Sequence, residues 1–281
     1  MSRHIIYNGE LTKNEQLFNA EHPLIQGTNA LRFTWFVMSS ALPFYQDEFR
    51  RIKAFAEKKG LKLPGWMTAS TFAQDIHYLF QMNRIYQGGL LSMLVYADDP
   101  AESAEYIMTA KARHNKKFIL NEDGFLIDVF RKNRIYSKSA EVYDTGLSPT
   151  ETSALFDMHS GRLNQMVILN ENYHVSRFVG ANFMMIKNDI AYSPAIDEGA
   201  MDDIMRQKTI EACLNLGIKV HADCILHVNE IKSASEILVL HPVQGIQWVV
   251  GYREKRYYRR NSQGITDEIN RLFFGESDNA S

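Results

Sequence analysis

Cysteine is almost absent from this chain. Cys213 and Cys224 are its two thiols in 281 residues, so there is no disulfide framework and a reducing compartment, the cytoplasm, is expected. An excess of basic charge is missing as well. The formal net charge is -2, from 31 Lys and Arg against 33 Asp and Glu. That balance leaves no general basic face for a nucleic-acid backbone, so no nucleic-acid partner is expected. Long apolar runs are lacking too. The stretch MSRHIIYNGELTKNEQ holds none that would serve as a signal peptide, and no later stretch reaches the roughly 20 apolar residues that span a bilayer. No membrane partner is expected, and neither internal repeats nor low-complexity segments are found. What remains is an ordinary globular composition, 45% hydrophobic and 23% charged. The length allows one large or two medium domains, each with a core of its own.

Short chemical motifs are equally scarce. His221, Asp223, Cys224 and His227 crowd the segment VHADCILHV, but their spacing matches no zinc signature, and a strand with packed or exposed polar residues accounts for them better. Ser160 beside His159 has no nucleophile-elbow context. Gly88-Gly89 lacks the spacing of a phosphate loop and reads as a turn. The run Arg253–Arg260, REKRYYRR, offers charge to an acidic partner, yet a solvated strand or turn is the commoner explanation.

Elements alternate along the chain. Ile5–Tyr7 followed by Asn8-Gly9 reads as an edge strand and a hairpin turn. Ala30–Val37 is aromatic and β-branched, as a half-buried strand would be, with Arg32 on its polar face. Asp47–Lys59 has helical spacing, placing Phe49, Ile52 and Ala56 on one face, with Gly60 as a stop. A second helix fits Thr71–Met82, and Gly89–Tyr96 fits a buried strand. The turn cluster Asn121–Gly124 separates strands at Phe118–Leu120 and Phe125–Phe130 and marks a domain boundary. A short helix is expected over Glu151–His159. The segment Gln165–Pro194 then holds three strands, Met166–Leu169, Phe183–Ile186 and Ile190–Tyr192, with turns at Asn170–Asn172 and Lys187–Asp189. Between the first two strands stands Arg177, which either reaches solvent or points into a pocket. Met201–Leu216 reads as a helix with Asp202 and Asp203 in its first turn, where the dipole favours carboxylates, and Gly217 after its end. Strands at Ile237–Leu240 and Ile246–Val250 flank His241-Pro242.

Taken in order, Tyr7-Asn8-Gly9, Arg51-Ile52, Gly124–Phe130, Val167–Asn170, Asn182-Phe183, Ile204-Met205-Arg206 and Gly245-Ile246-Gln247-Trp248 carry a resemblance. They resemble the class IV aminotransferases, the fold type IV pyridoxal-phosphate enzymes. That family includes branched-chain and D-amino-acid aminotransferases and aminodeoxychorismate lyase. The resemblance implies an α+β fold of two domains, a smaller one over residues 1–120 and a larger, α/β-barrel-like one over 124–281. It also implies a homodimer and a pyridoxal phosphate held in the cleft between the domains. A lysine forms the Schiff base, a glutamate pairs with the pyridine nitrogen, and an arginine with a helix N-terminus holds the phosphate.

Most of those positions have changed here. The lysine position falls on Asp144 and the pyridine-nitrogen glutamate on Arg177. The small residues of the phosphate-binding helix fall on Asp202 and Asp203, and the Thr-Asn-Ala segment has become Leu240-His241-Pro242. The glutamate of the smaller domain falls on Arg32, while the phosphate arginine is kept as Arg51. An aspartate cannot form an imine, and an arginine facing the ring nitrogen opposes its protonation. Two carboxylates at a helix N-terminus repel a phosphate dianion or satisfy its donors instead. The leading expectation is therefore a member without Schiff-base chemistry and without bound pyridoxal phosphate, in which Asp144 and Arg177 pair. The alternative is a working aminotransferase or aminodeoxychorismate lyase using Lys138 and pyridoxal phosphate. A third reading makes Arg32, Arg51 and Arg177 a pocket for an anionic small molecule, with Asp144 as acid or base.

Overall fold

Asn8 and Gly9 both adopt the left-handed backbone, at φ 47° and 83°, as a two-residue hairpin of the I′ type requires. They join β1 (His4–Tyr7) to β2 (Glu10–Lys13). A Cβ on Gly9 would lie 2.8 Å from the Trp66 ring, a second reason for glycine there. A computed structural model of the chain describes residues 3–13, 30–97, 102–138 and 147–275. The chain divides into two compact units between residues 116 and 117.

The smaller unit is an antiparallel sheet with helices on one face. Its further strands are β3 (Ala30–Met38), β4 (Gly88–Tyr96) and β5 (Glu105–Arg113), in the order β2-β1-β5-β4-β3. Alternation along β3 buries Leu31, Phe33 and Trp35 while Arg32 and Thr34 stay exposed, the period of two expected of a one-sided strand. The helices are α1 (Tyr45–Lys58) and α2 (Ala69–Met82). Phe49, Ile52 and Ala56 of α1 are buried as the helical spacing predicts, and Gly60 ends the segment at φ 72°. Phe33 stacks on Phe55 at 6.2 Å, and Trp35 meets Phe72 edge-on at 5.9 Å. These ring contacts help to hold the helices to the sheet.

The larger unit is built on a mixed, curled sheet. Its strands are β6 (Phe125–Val129), β7 (Gln165–Leu169), β8 (Val175–Phe178), β9 (Asn182–Lys187), β10 (Ile190–Pro194), β11 (Lys219–Cys224), β12 (Glu236–His241), β13 (Gly245–Tyr252) and β14 (Lys255–Arg256). They run in the order β11-β10-β9-β12-β13-β6-β7-β8, with β14 on β13. The sheet curls until β8 meets β9, where Phe178 and Ala181 exchange backbone hydrogen bonds. Val167, Phe178, Phe183, Ile237, Val239 and Val249 fill the enclosed core. Outside it lie α3 (Pro149–Gly161), α4 (Ile204–Asn215), the short α5 (Val228–Ile231) and α6 (Ser262–Phe274). Met158, Met166 and Ile168 form a second core under α3.

Several expectations need correction. Phe118–Leu120 joins no ladder; the Asn270 side chain instead takes both the N–H and the carbonyl of Phe118. The strands β5 and β8 and the helix α6 were not foreseen. Asp203 caps α4 and Asp202 precedes it, so neither lies within its first turn. The helix α4 is also shorter than the expected Met201–Leu216, starting at Ile204 and ending at Asn215, with Leu216 as its exposed C-cap.

Candidate functional site

Arg177 sits on β8, a strand whose four residues are all buried, and is itself 1% exposed. A guanidinium so enclosed needs an anion, because an uncompensated buried charge costs several kcal/mol. The anion is Glu151, also 1% exposed. Arg177 Nε donates to Glu151 Oε1 at 3.1 Å and NH2 to Oε2 at 2.9 Å, while NH1 reaches the carbonyl of Gly199 at 3.3 Å. This is the fork-to-fork geometry in which arginine and carboxylate match best.

Glu151 is placed by local rules. Ser148, Pro149 and Glu151 form a capping box at the start of α3, with proline at the position where its missing N–H costs nothing. Ser148 N and Oγ donate to Glu151 Oε2 at 3.1 and 2.8 Å, and Gly180 N donates to Oε1 at 3.1 Å. One carboxylate thus ties together the N-terminus of α3, strand β8 and the turn into β9. Burial pushes the Glu151 carboxyl up, but the charge and hydrogen bonds of Arg177, with those of Gly180 and Ser148, outweigh it. The carboxyl is held below the ordinary range.

The segment between β10 and α4 is anchored from β8 and from the turn that precedes it. Glu198 Oε2 accepts from Asn170 Nδ2 at 2.7 Å and pairs with His174 Nδ1 at 2.8 Å. Ser176 Oγ donates to the Glu198 carbonyl at 2.6 Å. At the start of α4, Asp203 Oδ1 accepts from Arg206 N at 2.7 Å, and Asn182 Nδ2 donates to Asp203 Oδ2 at 2.9 Å. Asn182 also closes a two-way bond with the backbone of Met201. Asp202 accepts from Gln207 Nε2 at 3.0 Å.

The remaining candidates are scattered. His241 Nδ1 accepts from Val243 N and Gln244 N, so it shapes the turn between β12 and β13. Lys138 is exposed on a turn. In the smaller unit Arg32 is exposed opposite Leu94. Arg51 lies on α1, where its Nε and NH2 both donate to Glu48 Oε2, at 2.9 and 2.5 Å, and its guanidinium covers the Phe55 ring. Asp144 falls outside the described residues. The partner that Arg177 holds is Glu151, which sequence reading placed only at the start of a short helix. The pattern Ser-x-x-Glu over Ser148–Glu151 announces that cap, but nothing local announces its arginine. Among the described residues no group of three or more His, Cys, Asp or Glu is arranged to hold a metal. Nor is any helix among them long and apolar enough to cross a membrane.

A family model described as amino-transferase class IV matches residues 34–252, more than half of the chain. The chain belongs to the class IV aminotransferase family. A branched-chain aminotransferase from the archaeon Thermoproteus uzoniensis, solved with norvaline, superposes with a TM-score of 0.87 at 17% identity, covering 98% of this chain and 96% of that one. A putative 4-amino-4-deoxychorismate lyase from Legionella pneumophila gives 0.76 at 18% identity, covering 91% and 95%. An aminotransferase from Brucella abortus bound to the cofactor pyridoxal phosphate gives 0.81 at 15% identity, covering 95% and 98%. At such identities the likeness speaks for the mixed helix-and-strand fold alone. No curated protein matches the chain significantly by sequence.

Proposed function

We propose that this member of the class IV aminotransferase family has lost Schiff-base chemistry and serves as a binding or scaffold protein. The observation that carries this reading is Arg177. A guanidinium stands at the position where the family resemblance calls for a carboxylate against the pyridine nitrogen, and it is buried and engaged by Glu151. A guanidinium offers the ring nitrogen only N–H donors and no acceptor for its proton, and without that proton the ring is a poor electron sink. Asp144 at the lysine position removes the imine. These residues do not fit pyridoxal phosphate in the family's manner, although the Brucella abortus protein shows that the fold can hold it.

The same reading keeps the homodimer and the cytoplasmic setting of the sequence expectations, the former open to light scattering on the purified chain. It does not favour an anionic metabolite held by arginines, since Arg51 and Arg177 each face a carboxylate of their own unit. Incubation of the protein with pyridoxal phosphate, then borohydride and peptide mapping, is the test. No internal-aldimine absorbance and no modified lysine peptide are expected. A band together with a trapped peptide containing Lys138 would instead establish the alternative, an active branched-chain aminotransferase or 4-amino-4-deoxychorismate lyase with a displaced lysine.

A further inference from the structure

We infer that each unit satisfies its own candidate phosphate anchor with an internal carboxylate, Glu48 at Arg51 and Asp203 at the N-terminus of α4, so that neither anchor takes a pyridoxal-type phosphate monoester even without covalent chemistry. The inference rests on the reading that the chain has left pyridoxal chemistry, and extends it from the imine to the anion anchors.

The first anchor is Arg51. Its Nε and NH2 meet Glu48 three residues earlier on α1, and the two side chains are 10% and 5% exposed. A neutral pair of this kind offers little attraction to a dianion, and the Glu48 charge beside it repels one. The second anchor is the N-terminus of α4. Such termini draw anions through free N–H groups and the helix dipole. Here Asp203, 4% exposed, supplies the anion from within the chain. It takes the Arg206 N–H and is fixed by Asn182. Asp202 adds a second carboxylate next to it, tied to Gln207. Glu151 does for Arg177 what Glu48 does for Arg51, so Arg51, Arg177 and the N-terminus of α4 each meet an internal carboxylate.

Pyridoxamine 5′-phosphate is the probe. It carries the ring and phosphate but no carbonyl, so it forms no imine with any lysine, and its binding reads the anchors alone. Calorimetric titration of the full chain is expected to show no saturable binding up to about 1 mM. Saturable micromolar binding would overturn the inference while leaving the loss of Schiff-base chemistry standing. A trapped lysine adduct without binding of the amine form would do the reverse. The double variant Glu48→Gln/Asp203→Ser keeps a capping hydroxyl for α4 and is expected to bind the probe at least about tenfold more tightly than wild type. A folded double variant that binds no better than wild type would overturn the role given to the two carboxylates. If it fails to fold, the single Asp203→Ser variant and the wild-type titration carry the decision.

Discussion

Replacing Arg177 by glutamate is expected to unfold the larger unit rather than to supply the carboxylate that the family resemblance implies there. The reason is Glu151. With both side chains 1% exposed, the change removes a buried cation and sets two carboxylates against each other. Losing one member of a buried pair costs about 3–5 kcal/mol, and like-charge repulsion adds to that. Domains are stable by about 5–15 kcal/mol, so the loss takes most of the margin at the lower end. Glu151→Gln in the same chain is expected to restore part of it. With its amide oxygen on the Oε1 side it still accepts from Gly180 N, and its amide nitrogen on the other side ends the like-charge repulsion and can donate to the new carboxylate, while the bond from Ser148 N is lost. Urea unfolding followed by circular dichroism decides between these expectations. With two units in the chain, midpoints of the transitions are compared rather than a single fitted energy. A wild-type midpoint in Arg177→Glu, or a double variant less stable than the single one, would refute the proposed coupling.

The same pair sets a direction for acid stability. The folded-state pKa of Glu151 lies below its unfolded value, which is about 4.3 for glutamate. Its contribution is therefore complete above that value and is lost as pH falls through the folded one. Glu268 works in the same sense, lowered to about 2 mainly by its hydrogen bonds from the Arg271 fork. The urea midpoint of wild type should fall steadily on acidification below about pH 5. In Glu151→Gln the starting midpoint should be lower and the acid slope shallower. An unchanged slope would assign the acid sensitivity to other carboxylates.

Much of this fold is legible because its punctuation is local. Asn8-Gly9 forecasts its hairpin, and Lys187–Asp189 contains the left-handed pair Asn188 and Asp189 that turns β9 into β10. Phe49, Ile52 and Ala56 reveal α1 by spacing alone. What escapes is whatever depends on distant partners. Strand β8 shows no alternation because it is buried on both faces, and a charged residue within it argues against a strand until Glu151 arrives from 26 residues away. The α4 start is ambiguous for a similar reason. Asp202 and Asp203 read alike in sequence, and only the Asn182 side chain, reaching across from β9, singles out Asp203 as the cap. Arg177 itself stands out as misplaced, but what holds it does not.

Removing the Glu236 carboxylate is expected to loosen the C-terminal helix while sparing the curled sheet. Glu236 is fully buried on β12, and its oxygens meet the entry to α6. Oε1 accepts from Arg260 N at 3.2 Å and Ser262 N at 3.0 Å, and Oε2 accepts from Asn261 N at 2.9 Å and Nδ2 at 3.2 Å. The first amides of a helix have no partner within it, so an acceptor from elsewhere must take them. In Glu236→Ala those donors are orphaned, each at about 1–3 kcal/mol. Glutamine is a poor substitute, because both oxygens face donors and one amide end would set N–H against N–H. Glu236→Gln should therefore resemble Glu236→Ala rather than wild type. Hydrogen exchange on peptides covering 262–274 gives the readout, with protection lost in both variants and retained in β9 and β12. The effect should extend to α4, which packs on α6 and is joined to it by Asn215 donating to Glu268 at 2.7 Å. Faster exchange at the α4 N-terminus would show that the Asp203 cap depends on α6 as well as on Asn182. Wild-type protection in both helices would show that Glu236 does not hold this end of the unit.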